Sequence, residues 1–120
     1  MSIYLKRVYE QPSKKDGFRV LVDRLWPRGV SREKANVDAW IKDVGPSSHL
    51  RQWFQHDPKK FSSFKQAYLE ELKHGQQRLA FEQLKRIVQE EDVVTFIFAS
   101  KETTYNHVVI LKEIIQHDIL

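Results

Sequence analysis

The chain has no cysteine and only four glycines among its 120 residues, and both shortages exclude classes of site. Without cysteine there is no disulfide framework, no thiolate metal centre and no cysteine nucleophile. The few glycines form neither a glycine-rich phosphate loop nor the Gly-x-Ser-x-Gly turn of α/β-hydrolases. The five histidines lack metal-ligand spacing, so we predict no metal site.

Long hydrophobic runs are also missing. The longest, residues 93–99, is far too short to cross a bilayer, and the first residues lack the charged-then-apolar order of a secretory signal. We therefore expect a cytoplasmic protein with no membrane contact. Hydrophobic residues make up 41% of the chain, which indicates a folded core, and the length predicts one domain over residues 1–120.

The pattern of apolar residues predicts a small three-layer α/β domain, with a mainly parallel sheet of three to four strands flanked by helices. Residues 3–9, 18–25 and 93–99 read as strands, and the last is apolar on both faces, as parallel sheets require. The loop between the first two strands leaves their relative direction open. A helix precedes the last strand and another follows it over residues 105–116, which favours a right-handed crossover.

Several helix starts carry capping residues. Ser31 is a predicted N-cap for a brief helix, and either Ser47 or Ser48 caps the next one. Asp57 followed by Pro58 is typical of an N-cap with proline at the first helical position.

The most informative stretch is residues 18–29, where a β-branched run ends in Asp-Arg-Leu-Trp-Pro-Arg-Gly. Because proline lacks the N–H that a central strand needs, we expect the strand to stop near Trp26. Ligands of α/β sheets bind outside the carboxyl ends of the strands. If the second and last strands are parallel neighbours, this turn meets the turn at residues 100–107.

The two turns would form a site for a small anionic ligand, phosphate-bearing or nucleotide-like, with the cofactor left open. Guanidinium groups match carboxylates and phosphates, and a helix start adds N–H donors. The predicted acid–base candidates are Asp23 and His107. The predicted ligand-binding residues are Arg24, Trp26, Arg28, Arg51, Ser100, Lys101 and Asn106. The pattern leaves open whether the site catalyses a reaction or only binds.

Each candidate also has a structural interpretation. Asp23 can pair with Arg24 or Arg28, and Trp26 is more often a packing residue than a stacking platform. His107 can be an ordinary residue at a helix start. His56, together with Arg51, is a weaker candidate for a lid over the site.

Two other functions remain open. One is a nucleic-acid-binding or regulatory module, in which lysines and arginines form a basic surface and Trp26 stacks on bases. Its basic residues would be Lys14, Lys15, Arg28, Arg32, Lys34, Lys59 and Lys60. The net charge of +4 gives this only weak support. The other is a protein-interaction module with an exposed aromatic patch.

The chain as a whole resembles the YeaO-like family of bacterial proteins, a branch of a larger family of unknown function. The resemblance rests on residues 6–9, 16–29 and 50–58 and on Asn106-His107. It implies a small α/β protein and no established activity. The wider family has Cys-His-Arg after its late strand, where this chain has Asn106-His107-Val108. Chemistry that depends on that thiol or arginine therefore does not carry over.

Overall fold

The structure is a computed structural model that describes residues 2–119. Its strands are β1 (Ser2–Arg7), β2 (Phe18–Leu21), β3 (Ala39–Trp40) and β4 (Val93–Phe98). Its α-helices are α1 (Arg32–Ala35), α2 (Ser48–Phe54), α3 (Phe61–Glu71), α4 (Gly75–Glu90) and α5 (His107–Ile119). Short 3-10 turns occupy Lys14–Asp16, Lys42–Val44 and Pro58–Lys60.

The four strands form one parallel sheet in the order β1-β4-β2-β3. β4 is therefore central, with β1 on one side and β2 on the other. Both neighbours run parallel to β4, so the first two strands point in the same direction, which the sequence left open. The predicted α/β class and the predicted pairing of the second and last strands are both confirmed.

The two faces of the sheet are covered unequally. Alternate residues of β4 (Val94, Phe96 and Phe98) point into the main core, which also contains buried residues from α2, α3, α4 and α5. Ile97 points to the other face, where it packs with Leu21, a few loop residues and the short helix α1. The third layer is thus thin, because it contains one helix of four residues.

The loop between β1 and β2 is fastened to the central strand. Its 3-10 turn (Lys14–Asp16) is capped by Ser13, and the carbonyl of Asp16 accepts a 2.7 Å hydrogen bond from the hydroxyl of Thr95. Gly17 ends the turn with a φ of +64° and lies against Val93, the first residue of β4. A loop of ten residues with one 3-10 turn therefore takes the place of the helical crossover that usually connects parallel strands.

The predicted capping residues are found at their helix starts. The side chains of Ser31 and Ser47 accept backbone N–H groups at the starts of α1 and α2, and Asp57 does so at the 3-10 turn that leads into α3. Other boundaries were wrong by a few residues. β1 ends at Arg7, and α5 begins two residues later than expected and runs beyond residue 116.

The end of β2 was predicted wrongly. Regular pairing stops at Leu21, four residues before the predicted end. The reason is a change of partner: the Val22 N–H still donates to the carbonyl of Ile97, but Asp23 then uses its side chain to accept the N–H of Ala99. Within residues 2–119, none of the helices has both the length and the apolar character needed to cross a membrane.

Candidate functional site

A cavity of about 370 Å³ opens where the carboxyl ends of β2 and β4 meet. Its wall combines charged, polar and aromatic side chains from the turn after β2, from α2 and from the turn after β4. The lining residues are Tyr9, Asp23, Arg24, Leu25, Trp26, Pro27, Arg28, Pro46, Arg51, Phe54, His56, Phe64, Ala99, Ser100 and His107. The predicted meeting of the two turns is therefore present in the fold.

Seven of the nine candidates from the sequence lie on this wall. They are Asp23, Arg24, Trp26, Arg28, Arg51, Ser100 and His107. Asn106 does not line the cavity: it is buried, and its side chain caps α5 by accepting the N–H of Val109 and donating to the carbonyl of Glu102. Lys101 is exposed outside the cavity. The structure thus separates these two from the other candidates.

Asp23 and His107 form the polar floor of the cavity, with side chains only 18% and 14% exposed. One carboxylate oxygen of Asp23 accepts the N–H of Ala99 at 2.9 Å, and the other lies 3.5 Å from Nε2 of His107. The same Nε2 lies 3.1 Å from the carbonyl of Val22. Since both neighbours of Nε2 are acceptors, we assign the ring proton to Nε2.

Burial shifts both groups of this floor toward their neutral forms. It raises the pKa of Asp23, although the nearby His107 and the hydrogen bond from Ala99 oppose the rise. Burial also lowers the pKa of His107, against the opposing effects of Asp23 and of the Val22 carbonyl. The imidazole is therefore neutral at pH 7 and offers one N–H donor.

We expect the pKa shift of His107 to weaken the fold under mildly acidic conditions. Its folded-state pKa lies below the usual 6.5, so the unfolded chain binds a proton that the folded chain does not as the pH falls below 6.5. Stability should then fall by at most about 1.4 kcal/mol per pH unit. The variant His107→Gln keeps an N–H donor but does not titrate. The free energy of unfolding of both proteins is measured with denaturant on either side of pH 6.5. It should fall more steeply on acidification in the parent than in His107→Gln. The same pH dependence in both proteins would contradict a lowered pKa of His107.

The three arginines of the cavity differ in the protein groups that their side chains contact. Arg24 donates to the carbonyls of Gly45 (2.8 Å) and Pro46 (3.1 Å) and lies 3.6 Å from Asp43, so it fastens the loop before α2. Within residues 2–119, neither Arg28 nor Arg51 forms an ion pair with a carboxylate. Arg28 is exposed and Arg51 is half-buried. Positive charge is thus available on two sides of the cavity.

Trp26 is held as part of the wall. Its indole N–H donates to the carbonyl of Val30 at 2.7 Å, and its ring meets Trp40 edge to face at a centroid distance of 5.3 Å. The guanidinium of Arg32 lies 4.1 Å from the ring centroid. These contacts agree with the packing interpretation of Trp26.

His56 lines the cavity although sequence reasoning gave it only a minor place. Its backbone has a φ of +55°, and the preceding Gln55 has +48°, both rare for residues with a side chain. Its Nδ1 lies 2.9 Å from the carbonyl of Tyr105, and its Nε2 lies 3.4 Å from the hydroxyl of Ser100. Only two residues, Gln55 and His56, separate the end of α2 from the N-cap Asp57. This short spacing requires a sharp reversal of the chain and was the sequence signal for the position of His56.

The part of the chain that the structure describes contains no group of three or more His, Cys, Asp or Glu side chains placed to hold a metal ion. The polar groups of the cavity are instead arranged as hydrogen-bond donors and cations around one carboxylate.

Comparison with known proteins identifies the family of the chain. The family model described as the inactive DUF488-N3 subclade matches residues 2–120. The chain belongs to this family. No solved structure matches the chain at a significant level.

Curated relatives are similar to this chain over almost its whole length. The uncharacterized protein YeaO of Escherichia coli K12 is 36% identical over 115 residues, covering 94% of this chain and 96% of the relative. The uncharacterized protein Rv3073c of Mycobacterium tuberculosis H37Rv is 38% identical over 113 residues, covering 94% and 92%. The resemblance to YeaO-like proteins is thereby confirmed. The names of these relatives give no activity.

Proposed function

We propose that the cavity binds a small organic anion, phosphate-bearing or nucleotide-like, that also carries an apolar group. The observation that carries this proposal is the pair of cavity arginines, Arg28 and Arg51, which have no carboxylate partner within residues 2–119. A half-buried guanidinium that makes no direct ion pair is costly, because the charge of Asp23 acts on Arg51 only from a distance, and an anionic ligand in direct contact would lower that cost. Arg51 is the better placed of the two, because it is less exposed.

The remaining wall fits the apolar part of such a ligand. Leu25, Pro27, Pro46 and the aromatic rings of Phe54 and Phe64 line the cavity together with Trp26. Phe54 and Phe64 stack at a centroid distance of 3.9 Å, which fixes one wall as a rigid apolar surface. An apolar pocket with a few convergent polar groups is the usual form of a small-molecule site.

Asp23 and His107 would orient the ligand from the floor. The single N–H of the neutral imidazole donates to the carbonyl of Val22, which leaves Nδ1 as a hydrogen-bond acceptor, and the carboxylate is itself held by the Ala99 N–H. The matching family is described as an inactive subclade, and this description favours a role in ligand binding over a reaction that uses the thiol of the wider family pattern. The chain also has Asn106 where the wider family pattern has a thiol. We therefore assign these two residues to ligand orientation, not to a catalysed step.

A ligand screen with two arginine variants tests this function. Phosphorylated metabolites and nucleotides are screened by thermal shift, and hits are titrated by calorimetry. We expect one ligand class to stabilise the parent. Arg51→Gln should weaken binding by about 10- to 100-fold, since a hydrogen bond to a charged group contributes about 1.5–3 kcal/mol. Arg86→Gln, an exposed residue of α4 outside the cavity, should bind like the parent. No stabilising compound, or equal affinities in both variants, would exclude the proposal.

The nucleic-acid alternative gains no support from the site. Base stacking needs a free aromatic face, but Arg32 covers Trp26 and Trp40 packs on it. Lys60, another member of the predicted basic surface, donates to the carbonyl of Trp53 and lies over its ring. These contacts tie basic residues to the folded chain.

A further inference from the structure

We propose that Ser100 is a nucleophile activated by His56, and that the pair hydrolyses small activated carboxylic esters at the mouth of the cavity. This activity goes beyond ligand binding and does not use the thiol position of the wider family pattern. Both side chains line the cavity, and Nε2 of His56 lies 3.4 Å from Oγ of Ser100. Nucleophile–base contacts of this type are often long without substrate and shorten when it binds.

The ring of His56 is oriented as a base. Its Nδ1 lies 2.9 Å from the carbonyl of Tyr105, an acceptor, so the ring proton sits on Nδ1. Nε2 is then unprotonated and directed at the Ser100 hydroxyl. A backbone carbonyl thus fixes the tautomer and the orientation of this histidine, which is one of the two roles of the aspartate in a Ser-His-Asp triad.

The backbone of His56 indicates that this orientation is costly. A left-handed conformation costs a residue with a side chain about 1–2 kcal/mol, and His56 adopts it directly after another such residue, Gln55. Such strain persists only where surrounding structure imposes it, and it concentrates at functional sites. Here it places the imidazole against the turn after β4.

Ser100 is held just as firmly. The guanidinium of Arg7 donates to the carbonyls of Ser100 (2.9 Å) and Ala99 (3.2 Å), which fixes the chain at the exit of the central strand. The N–H of Glu102 donates to the Ser100 hydroxyl oxygen at 3.0 Å, and the Glu102 carbonyl lies 3.3 Å from it. The hydroxyl proton can therefore point to that carbonyl or to His56. Arg51, which lines the same cavity, would supply positive charge for an oxyanion.

The reaction needs only ester and water. Oγ of Ser100 forms a bond to the carbonyl carbon while its proton moves to Nε2 of His56, and the carbonyl π electrons move to oxygen. When they return, the bond to the leaving alkoxide or phenolate breaks, and that group takes the proton from Nε2. A water molecule then transfers a proton to Nε2 and attacks the acyl carbon. The Oγ–carbon bond breaks, the acid departs, and Ser100 recovers its proton.

Covalent labelling of the full chain tests the proposal. A fluorophosphonate probe reacts with activated serines, and intact mass followed by peptide mapping locates the adduct. We expect one adduct, on Ser100, and slow release of p-nitrophenol from p-nitrophenyl acetate. Ser100→Ala should abolish the adduct, whereas Ser63→Ala, an exposed serine of α3, should label like the parent.

The base is tested separately by His56→Asn, because asparagine tolerates the left-handed backbone and the variant should therefore fold. Loss of a general base should slow labelling about 100-fold or more. Circular dichroism should match the parent in both variants. Labelling and ester hydrolysis are measured without any added anion, so their outcome does not depend on the proposed binding function. No adduct on Ser100, or an unchanged labelling rate in His56→Asn, would overturn the proposal.

Discussion

Substituting Gly17 with alanine should destabilise the fold by about 3 kcal/mol or more. A Cβ built on Gly17 would lie 2.3 Å from the carbonyl oxygen of Val93 and 2.7 Å from its Cβ. Both atoms belong to the first residue of the central strand, so neither can move without disturbing the sheet. Overpacking of this kind costs about 1–3 kcal/mol, occasionally more. The backbone of Gly17, with φ +64° and ψ −133°, also lies in a region that residues with a side chain rarely adopt, which adds about 1–3 kcal/mol.

Gly29→Ala is the matched control. Gly29 also has a positive φ, +76°, but a Cβ there would meet no atom within 4 Å. Only the cost of the positive φ then applies, and we expect the free energy of unfolding to fall by about 1 kcal/mol. Urea denaturation of the two variants measures both losses. Equal losses would show that the close approach of Gly17 to β4 adds nothing to the cost.

Replacing Asp16 with alanine should destabilise the protein by about 3–5 kcal/mol, the usual cost of removing one partner from a buried ion pair. The carboxylate accepts hydrogen bonds from Lys6 at 2.9 Å and from Arg19 at 2.6 Å. The Arg19 side chain is only 3% exposed. Its remaining bonds, to the carbonyls of Asn36 and Ala35, do not neutralise the guanidinium. The variant would therefore bury an uncompensated charge.

Asp43→Ala is the control for the loss of an ion pair at the surface. The Asp43 side chain is 41% exposed and lies 3.6 Å from Arg24, and exposed pairs contribute about 0–1 kcal/mol. Chemical denaturation near neutral pH should therefore separate the two variants clearly. If both lose less than about 1 kcal/mol, the Asp16 pair does not hold the loop to the sheet.

The pH dependence gives the Asp16 prediction a second readout. Burial acts to raise the pKa of Asp16, but hydrogen bonds from Lys6, the Ser13 N–H and Arg19 outweigh it and lower the pKa below 3.8. The stabilisation is therefore fully present above pH 3.8 and is lost as the pH falls through the folded-state pKa. Asp16→Ala should lack this acid-induced loss.

Much of the fold could be predicted, because its signals are local. The apolar run of β4 and the caps Ser31 and Asp57 depend on neighbouring residues alone. The end of β2 could not be predicted in this way. Val22 continues a β-branched run, but Asp23 takes the Ala99 N–H with its side chain and its carbonyl accepts the indole N–H of Trp40. Both partners lie far along the chain, so residues 18–25 alone do not specify where pairing stops.

The candidate site was predictable only as a location. The prediction required the carboxyl ends of β2 and β4 to lie side by side, which they do. Asp23, His107 and Ser100 accordingly line one cavity. What each side chain binds was not predictable. Arg24 lines the cavity but donates to backbone carbonyls before α2, and Asn106 caps α5, so backbone groups occupy both side chains. The position of His56 depends on two successive left-handed residues, Gln55 and His56, and the sequence does not specify that conformation.

The strand order also governs when this protein can fold during its synthesis. Strand β4 separates β1 from β2, yet it is the last strand to leave the ribosome. Until residues 93–98 emerge, β1 has no partner, and β2 can pair only with the two residues of β3. Helices α3 and α4 are translated before β4, so their apolar faces stay exposed to solvent until the sheet forms. Folding of the sheet is therefore a late event, and the nascent chain is the state in which chaperones would matter most.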